Sequence, residues 1–360
     1  MATHGLRSPR AVSVRKMPPA RIRIGIVGAG AMDAEHAAAY RAIEGVEIVA
    51  VFSRNRQRAE STARICDAAA VTDPFALIND SKIDAIDVCV PSANHSQFVI
   101  PALQAGKHVF CETPFALDLS DADAMLAEAR KSKRILLVGL LMRSVAQYEH
   151  VHRVAASGEC GDLLSLFTYR LGSYLRPGGI DHKEHYSDPS TELMTFDFDF
   201  IHWLMGAPIR LSASAVNTAR GTPGEISALL DYGGDRSATV LASGMMPTTF
   251  PFSAGFRAVF EKGAFQLSNV FEAGPPKTTF LFYPEDGKPQ PVAVQPRNPF
   301  EKELQHFADC IRGAADPALL DAERAIEALT LSIATQRSLQ LRQAVSVDSI
   351  RPPGGPSGTP

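Results

Sequence analysis

The sequence predicts an α/β protein in two parts. An N-terminal Rossmann domain with a mostly parallel sheet comes first, then a C-terminal α+β domain with a large, mainly antiparallel open sheet. Three observations carry this. Short apolar runs alternate with amphipathic stretches between residues 22 and 140, the rhythm of βαβ units. A Gly-x-Gly turn closes the first of these runs, as in dinucleotide folds. From about Asp162 the rhythm changes to longer alternating stretches, which suits a sheet with one face on a core.

In order, the spacing predicts strands over 22–27, 48–52, 85–90, 108–111 and 135–139, with a helix from about Ala31 and helix starts near Asp73-Pro74 and Ser120. The second half should hold strands over 163–171, 209–217, 226–232, 238–243, 256–260 and 278–282. Helices should lie over 144–156, 191–205, 300–312 and 321–341. The division expected is a disordered extension over 1–20, the Rossmann domain over 21–141, the C-terminal domain over 142–348 and a disordered tail over 349–360. The extension holds Arg7, Arg10, Arg15 and Lys16 and no acid. It reads as an overhang or an early start, with an organellar transit peptide as the alternative.

Of the 360 residues, 36 are Lys or Arg and 39 Asp or Glu, a formal net charge of −3. That gives no electrostatic case for nucleic acid. No apolar run reaches the roughly 18 residues that suggest a membrane span. Five scattered cysteines without C-x-x-C spacing argue against a disulfide framework or a zinc site. A cytoplasmic protein is expected, with no metal.

The turn Gly28-Ala29-Gly30-Ala31-Met32-Asp33 is the expected cofactor site. Gly28 permits the tight turn, Gly30 lets the backbone approach a pyrophosphate, and the helix start at Ala31 and Met32 offers free N–H groups. Asp33 stands where the fingerprint has its third glycine; its carboxylate suits the helix dipole but would repel phosphate and crowd the helix. At the end of the second strand, Ser53 and Arg54 replace the acid that binds a ribose 2′-hydroxyl. A hydroxyl and a guanidinium fit a 2′-phosphate, so NADP is favoured over NAD. The alternative is that Arg54, Arg56 and Arg58 are ordinary solvated charges.

Several further stretches resemble the glucose–fructose oxidoreductase / inositol dehydrogenase / rhizopine-catabolism family (Gfo/Idh/MocA). They are Val90-Pro91-Ser92-Ala93-Asn94-His95, 102–109, Glu112-Thr113-Pro114, Val138-Gly139 with Arg143 and Tyr148, Ser157-Gly158 with Gly161, and Trp203-Leu204 with Gly206. The resemblance spans about 22 to 347. It implies an NAD(P)-dependent oxidoreductase of a sugar, cyclitol or related polar hydroxy or keto compound, and a homodimer or homotetramer built through the C-terminal sheet. Pro91, Ser92, His95, Glu112 and Arg143 then become expected cofactor contacts, with a salt bridge at the domain seam the alternative for Arg143.

Three positions depart from the family. Its Glu-Lys-Pro lysine is Thr113, its histidine is Phe196, and the acid four residues earlier is Glu192. Asp199 matches a later family acid, read either as a substrate contact or as a link between domains. The expected proton carriers are Glu192, Thr113 and, in the loop 174–186, His185 or Tyr186. His182 and His185 invite a metal reading without a further ligand; a solvated loop is the plainer one. The alternative function is a catalytically silent dinucleotide-binding sensor of the same fold.

Overall fold

The computed structural model describes residues 20–175, 188–272 and 275–351. His182, His185, Tyr186 and almost all of both expected tails lie outside the described residues.

The apolar runs of the first half form β1 (Ile22–Val27), β2 (Val46–Phe52), β3 (Ala69–Val71), β4 (Ala85–Val88), β5 (His108–Cys111) and β6 (Leu136–Val138). They stand in the order 3-2-1-4-5-6, every neighbouring pair parallel. Between them run α1 (Ala31–Arg41), α2 (Arg56–Ile65), α3 (Pro74–Ile78), α4 (Ser96–Gln104) and α5 (Leu119–Ser132). Helix starts follow local capping: Asn55 accepts from the Arg58 amide, Asp73 from Phe75, and Asp118 rather than Ser120 from Asp121. The central strand β4 is buried on both faces, as parallel strands are. Chain order reverses between β1 and β4, which opens a ligand crevice at their C-terminal ends.

The second half contains α6 (Ala146–Ser157), β7 (Leu163–Leu171), α7 (Pro189–Glu192), α8 (Met194–Met205), β8 (Arg210–Asn217), β9 (Pro223–Asp231), β10 (Ser237–Ser243), β11 (Phe252–Phe260), β12 (Gly263–Phe271), β13 (Lys277–Pro284), β14 (Gln290–Pro291), α9 (Pro299–Ile311), α10 (Ala322–Leu341) and β15 (Val345–Ser346). One nine-stranded sheet results, in the order 14-13-12-11-7-10-9-8-15. It is antiparallel except where β10 runs parallel to β7. The expected helix over 191–205 divides at Leu193 (φ −118°, ψ −51°) into α7 and α8. β12 went unforeseen because Asn269 on its inward register and Val270 on its outward one break the alternation; it pairs with β11 through the two-residue turn Glu261-Lys262.

The two cores do not divide at residue 142 alone. Leu304, Phe307 and Ala308 of α9, with Ala325, Ile326 and Leu329 of α10, complete the Rossmann core. Ala328, Leu331 and Ala334 of the same α10 enter the second core. At 20 residues, α10 is about 30 Å long, enough to serve both. At the seam Arg143 and Asp199, 3% and 2% exposed, form an ion pair at 2.7 Å, and Arg143 Nη1 also donates to the Leu319 carbonyl. Among the described residues no helix is long and apolar enough to cross a membrane.

Replacing Asp199 by Ala leaves a buried guanidinium without its carboxylate, so unfolding should lose about 3–5 kcal/mol, and Arg143→Met with Asp199→Leu should recover most of it. A single-variant loss below about 1 kcal/mol in urea unfolding would show that the pair does not hold the seam.

Candidate active site

Backbone bonds gather the strand ends around the glycine turn. Gly28 donates to Phe52 O at 3.0 Å, and Cys89 donates to Val27 O at 3.0 Å. Gly28 has φ of +148°, a conformation that L side chains rarely adopt. A Cβ there would also lie 2.1 Å from Asp33 Oδ1. Gly30 caps α1 in an extended conformation.

Asp33 does not project toward the crevice. Its side chain is fully buried and turns back under the loop, where Oδ2 accepts the Gly30 N–H at 2.5 Å. Oδ1 has no hydrogen-bond partner. Burial pushes its carboxyl up to about 7, against the opposing pull of the Gly30 bond. The amides of Ala31 and Met32 remain in the first helical turn, where intrahelical partners are absent. Beyond β2, Ser53 Oγ accepts from the Asn55 amide and Arg54 is exposed.

After β4, Pro91 is exposed and Ser92 half-buried. His95, an expected cofactor contact, is instead 1% exposed. Its Nε2 lies 2.8 Å from Val90 O and its Nδ1 3.1 Å from Phe115 O. Burial lowers its pKa, so the ring is neutral and donates to one of these carbonyls only; with Nε2–H on Val90 O, Nδ1 is left to accept from Cys111 Sγ at 3.3 Å. After β5, the Thr113 amide donates to Glu112 Oε2 at 2.8 Å and Thr113 Oγ1 donates to Gly139 O at 2.5 Å. The hydroxyl proton of Thr113 is thus engaged, and its oxygen can only accept from a ligand.

Beneath these loops lies a polar cluster that the sequence reading missed. His36 of α1 is fully buried, with Nδ1 2.9 Å from Asp87 and Nε2 2.8 Å from Glu112. Burial opposes its charge, but Asp87 and Glu112 outweigh it and hold the pKa well above the ordinary value. The ring is an imidazolium between two carboxylates. Glu303 of α9 is fully buried beside them, and neither of its carboxyl oxygens has a hydrogen-bond partner. Burial and the Glu112 charge raise its pKa strongly, so it is a neutral acid. Donor atoms of His36, Glu112 and Glu303, and of His36, Asp87 and Cys89, lie within 4.8 Å of one another. A cation would fit that spacing, and the imidazolium already provides one. The available signal was an acid, Asp87, inside an otherwise apolar strand.

In the second half, Glu192 ends α7 and is half-buried, with the half-buried Phe196 on the next helix. The Arg170 guanidinium stands 4.8 Å above the Phe196 ring. Arg170 pairs with Asp197 at 2.9 Å, both buried; an arginine on the inward register of β7 was the signal for this pair. Arg143 binds Asp199 and the Leu319 carbonyl, the seam salt bridge that was the alternative to a cofactor contact. Asp199 therefore has the linking role of its two readings. Tyr148 is buried edge-on against Phe200 and Phe256.

Residues 22–140 match the family model described as "Oxidoreductase family, NAD-binding Rossmann fold". Inositol 2-dehydrogenase 4 of Saccharopolyspora erythraea is 29% identical over 337 residues, 88% of this chain and 94% of that protein. Myo-inositol 2-dehydrogenase of Thermotoga maritima is 25% identical over 91% of this chain and 99% of that protein. Among solved structures, an oxidoreductase from Agrobacterium radiobacter in complex with NAD+, L-tartaric acid and magnesium superposes with a TM-score of 0.75. It is 18% identical and covers 92% of this chain and 100% of its own, a likeness of fold.

The neutral Glu303 has a consequence for stability. Its folded pKa lies above the ordinary value of 4.5, so the fold binds the proton more tightly than the unfolded chain. Its contribution is full below 4.5 and is lost at up to about 1.4 kcal/mol per unit as pH rises toward the folded pKa. Glu303→Gln should flatten that decline above pH 4.5; an unchanged pH dependence in denaturant unfolding would show that Glu303 is ionised.

Proposed function

Because its Rossmann domain belongs to the Gfo/Idh/MocA oxidoreductase family, we propose that the chain is an NAD(P)-dependent oxidoreductase of a sugar, cyclitol or related hydroxy or keto compound, with NADP(H) favoured. When bound, the nicotinamide gives or takes the hydride. The observation that carries this reading is the side-chain-free turn of Gly28 and Gly30 at the β1–β4 crevice, with helical amides behind it. Ala31 and Met32 hold the pyrophosphate through backbone amides, and Gly28 and Gly30, without side chains, let it come close. Ser53 and the exposed Arg54 take the 2′-phosphate, while Pro91 and Ser92 border the crevice. Glu112 acts at one remove, holding the Thr113 amide. The names of the two inositol dehydrogenases support a cyclitol.

Reduction of a ketone also needs a proton. Thr113 has its proton on Gly139 O, and Phe196 has none to give. Glu192 is therefore the proton carrier we favour, with His185 and Tyr186 the other candidates. A silent dinucleotide-binding sensor is the second reading, favoured by the same two substitutions. For assembly we favour a homodimer or homotetramer through the nine-stranded sheet, on which Val216 and Leu229 are 57% and 48% exposed.

The test is absorbance at the reduced-nicotinamide band with NADP+ or NAD+ and a panel of cyclitols and sugars, myo-inositol first. Turnover of any of them supports the enzyme, and none across the panel favours the sensor. Glu192→Gln should cut turnover about 100-fold or more while cofactor affinity holds; equal activity ends that role. Arg54→Ala should weaken NADPH about tenfold, roughly 1.4 kcal/mol, and spare NADH. Parallel losses for both cofactors would remove the 2′-phosphate assignment.

A further inference from the structure

The side chain at position 33 does something that a glycine there cannot. Its Oδ2 takes the Gly30 N–H at 2.5 Å, an N–H at the mouth of α1, where a helix presents its unpaired donors to an anion. Its Oδ1 is fully buried, without a hydrogen-bond partner and pressed against Gly28. The loop thus already holds a carboxylate belonging to the protein, directly under the place assigned to the pyrophosphate.

We propose that Asp33 is an internal competitor for the cofactor's phosphates, so that dinucleotide binding is coupled to uptake of one proton at this carboxyl. The proposal rests on the reading that the dinucleotide binds at the Gly28–Gly30 turn. Two negative charges arriving at an N–H that already serves a buried anion raise the energy of that anion. Protonation at Oδ1 removes its charge; the proton comes from solvent and no other bond changes. Oδ2 keeps its bond to Gly30, so the turn holds its shape.

The surroundings favour this site for the proton. From β4 and the residue after it, Asp87 and Cys89 face Asp33, and Asp87 raises its pKa as burial does. From its own helix His36 opposes them, but that imidazolium is held between Asp87 and Glu112. With the free carboxyl at about 7, affinity should be full at acid pH and fall as pH rises through neutrality.

The experiment is a fluorescence titration with NADH from about pH 6 to 8.5, on the whole chain and on Asp33→Asn. NADH is the probe because it lacks a 2′-phosphate, a group that titrates at about pH 6. The amide of the variant keeps an oxygen for the Gly30 N–H and carries no charge. The wild type should weaken about tenfold between about pH 6.5 and 8.5. D33N should stay within about twofold over the same range and bind tighter than the wild type at its alkaline end. Calorimetry at about pH 8, in two buffers of different ionisation enthalpy, should find close to one proton taken up by the wild type and close to none by D33N. A flat wild-type curve, or parallel curves for the two proteins, overturns the proposal. Binding by D33N alone supports it in extreme form. Absence of binding by both at every pH overturns the cofactor reading itself, and this proposal with it.

Discussion

The crevice depends on a buried imidazolium. His36 of α1 stands between Asp87 of β4 and Glu112 after β5, and so ties together the elements that frame the dinucleotide turn. Ions of this kind are costly to remove from water, and they persist only when each is paired. Here the pairing is two carboxylates to one ring, with Glu303 neutral alongside. Glu112 then uses its other oxygen on the Thr113 amide. The turn at Thr113 is thereby fixed from below.

A second ionic clamp works between the halves of the molecule. Arg143 follows β6, Asp199 lies on α8, and the carbonyl of Leu319 closes the contact. The long α10 passes from one core into the other. The halves therefore share both a charge pair and a helix. Arg170, paired with Asp197, lies over the Phe196 ring.

Much of this was legible in the sequence for a simple reason: apolar period and glycine placement are local signals. Strand 22–27 and strand 163–171 emerge with their expected bounds, and the glycine turn lies at the expected strand end. What stayed hidden depends on contacts between distant residues. His36 reads as one more polar residue on a helix until Asp87 and Glu112 are brought to it in space. His95 and Arg143 match the family's motifs, yet both are used to brace the protein. The return of α9 and α10 to the first core could not be inferred, because each helix has an apolar face but no label for its partner. Asp33 stands out in the sequence, but its direction does not, since a one-dimensional reading cannot tell inward from outward in the first turn of a helix.

The central claim is that the turn at Gly28 and Gly30 holds a dinucleotide, and that the second strand's Ser53 and Arg54 choose the phosphorylated one. Calorimetric titration of the purified chain with NADPH and NADH, side by side at about pH 6.5, addresses it most directly. One site per chain, micromolar affinity for NADPH and a clear margin over NADH are expected. Absence of heat with either cofactor would contradict it and leave the fold without its expected ligand.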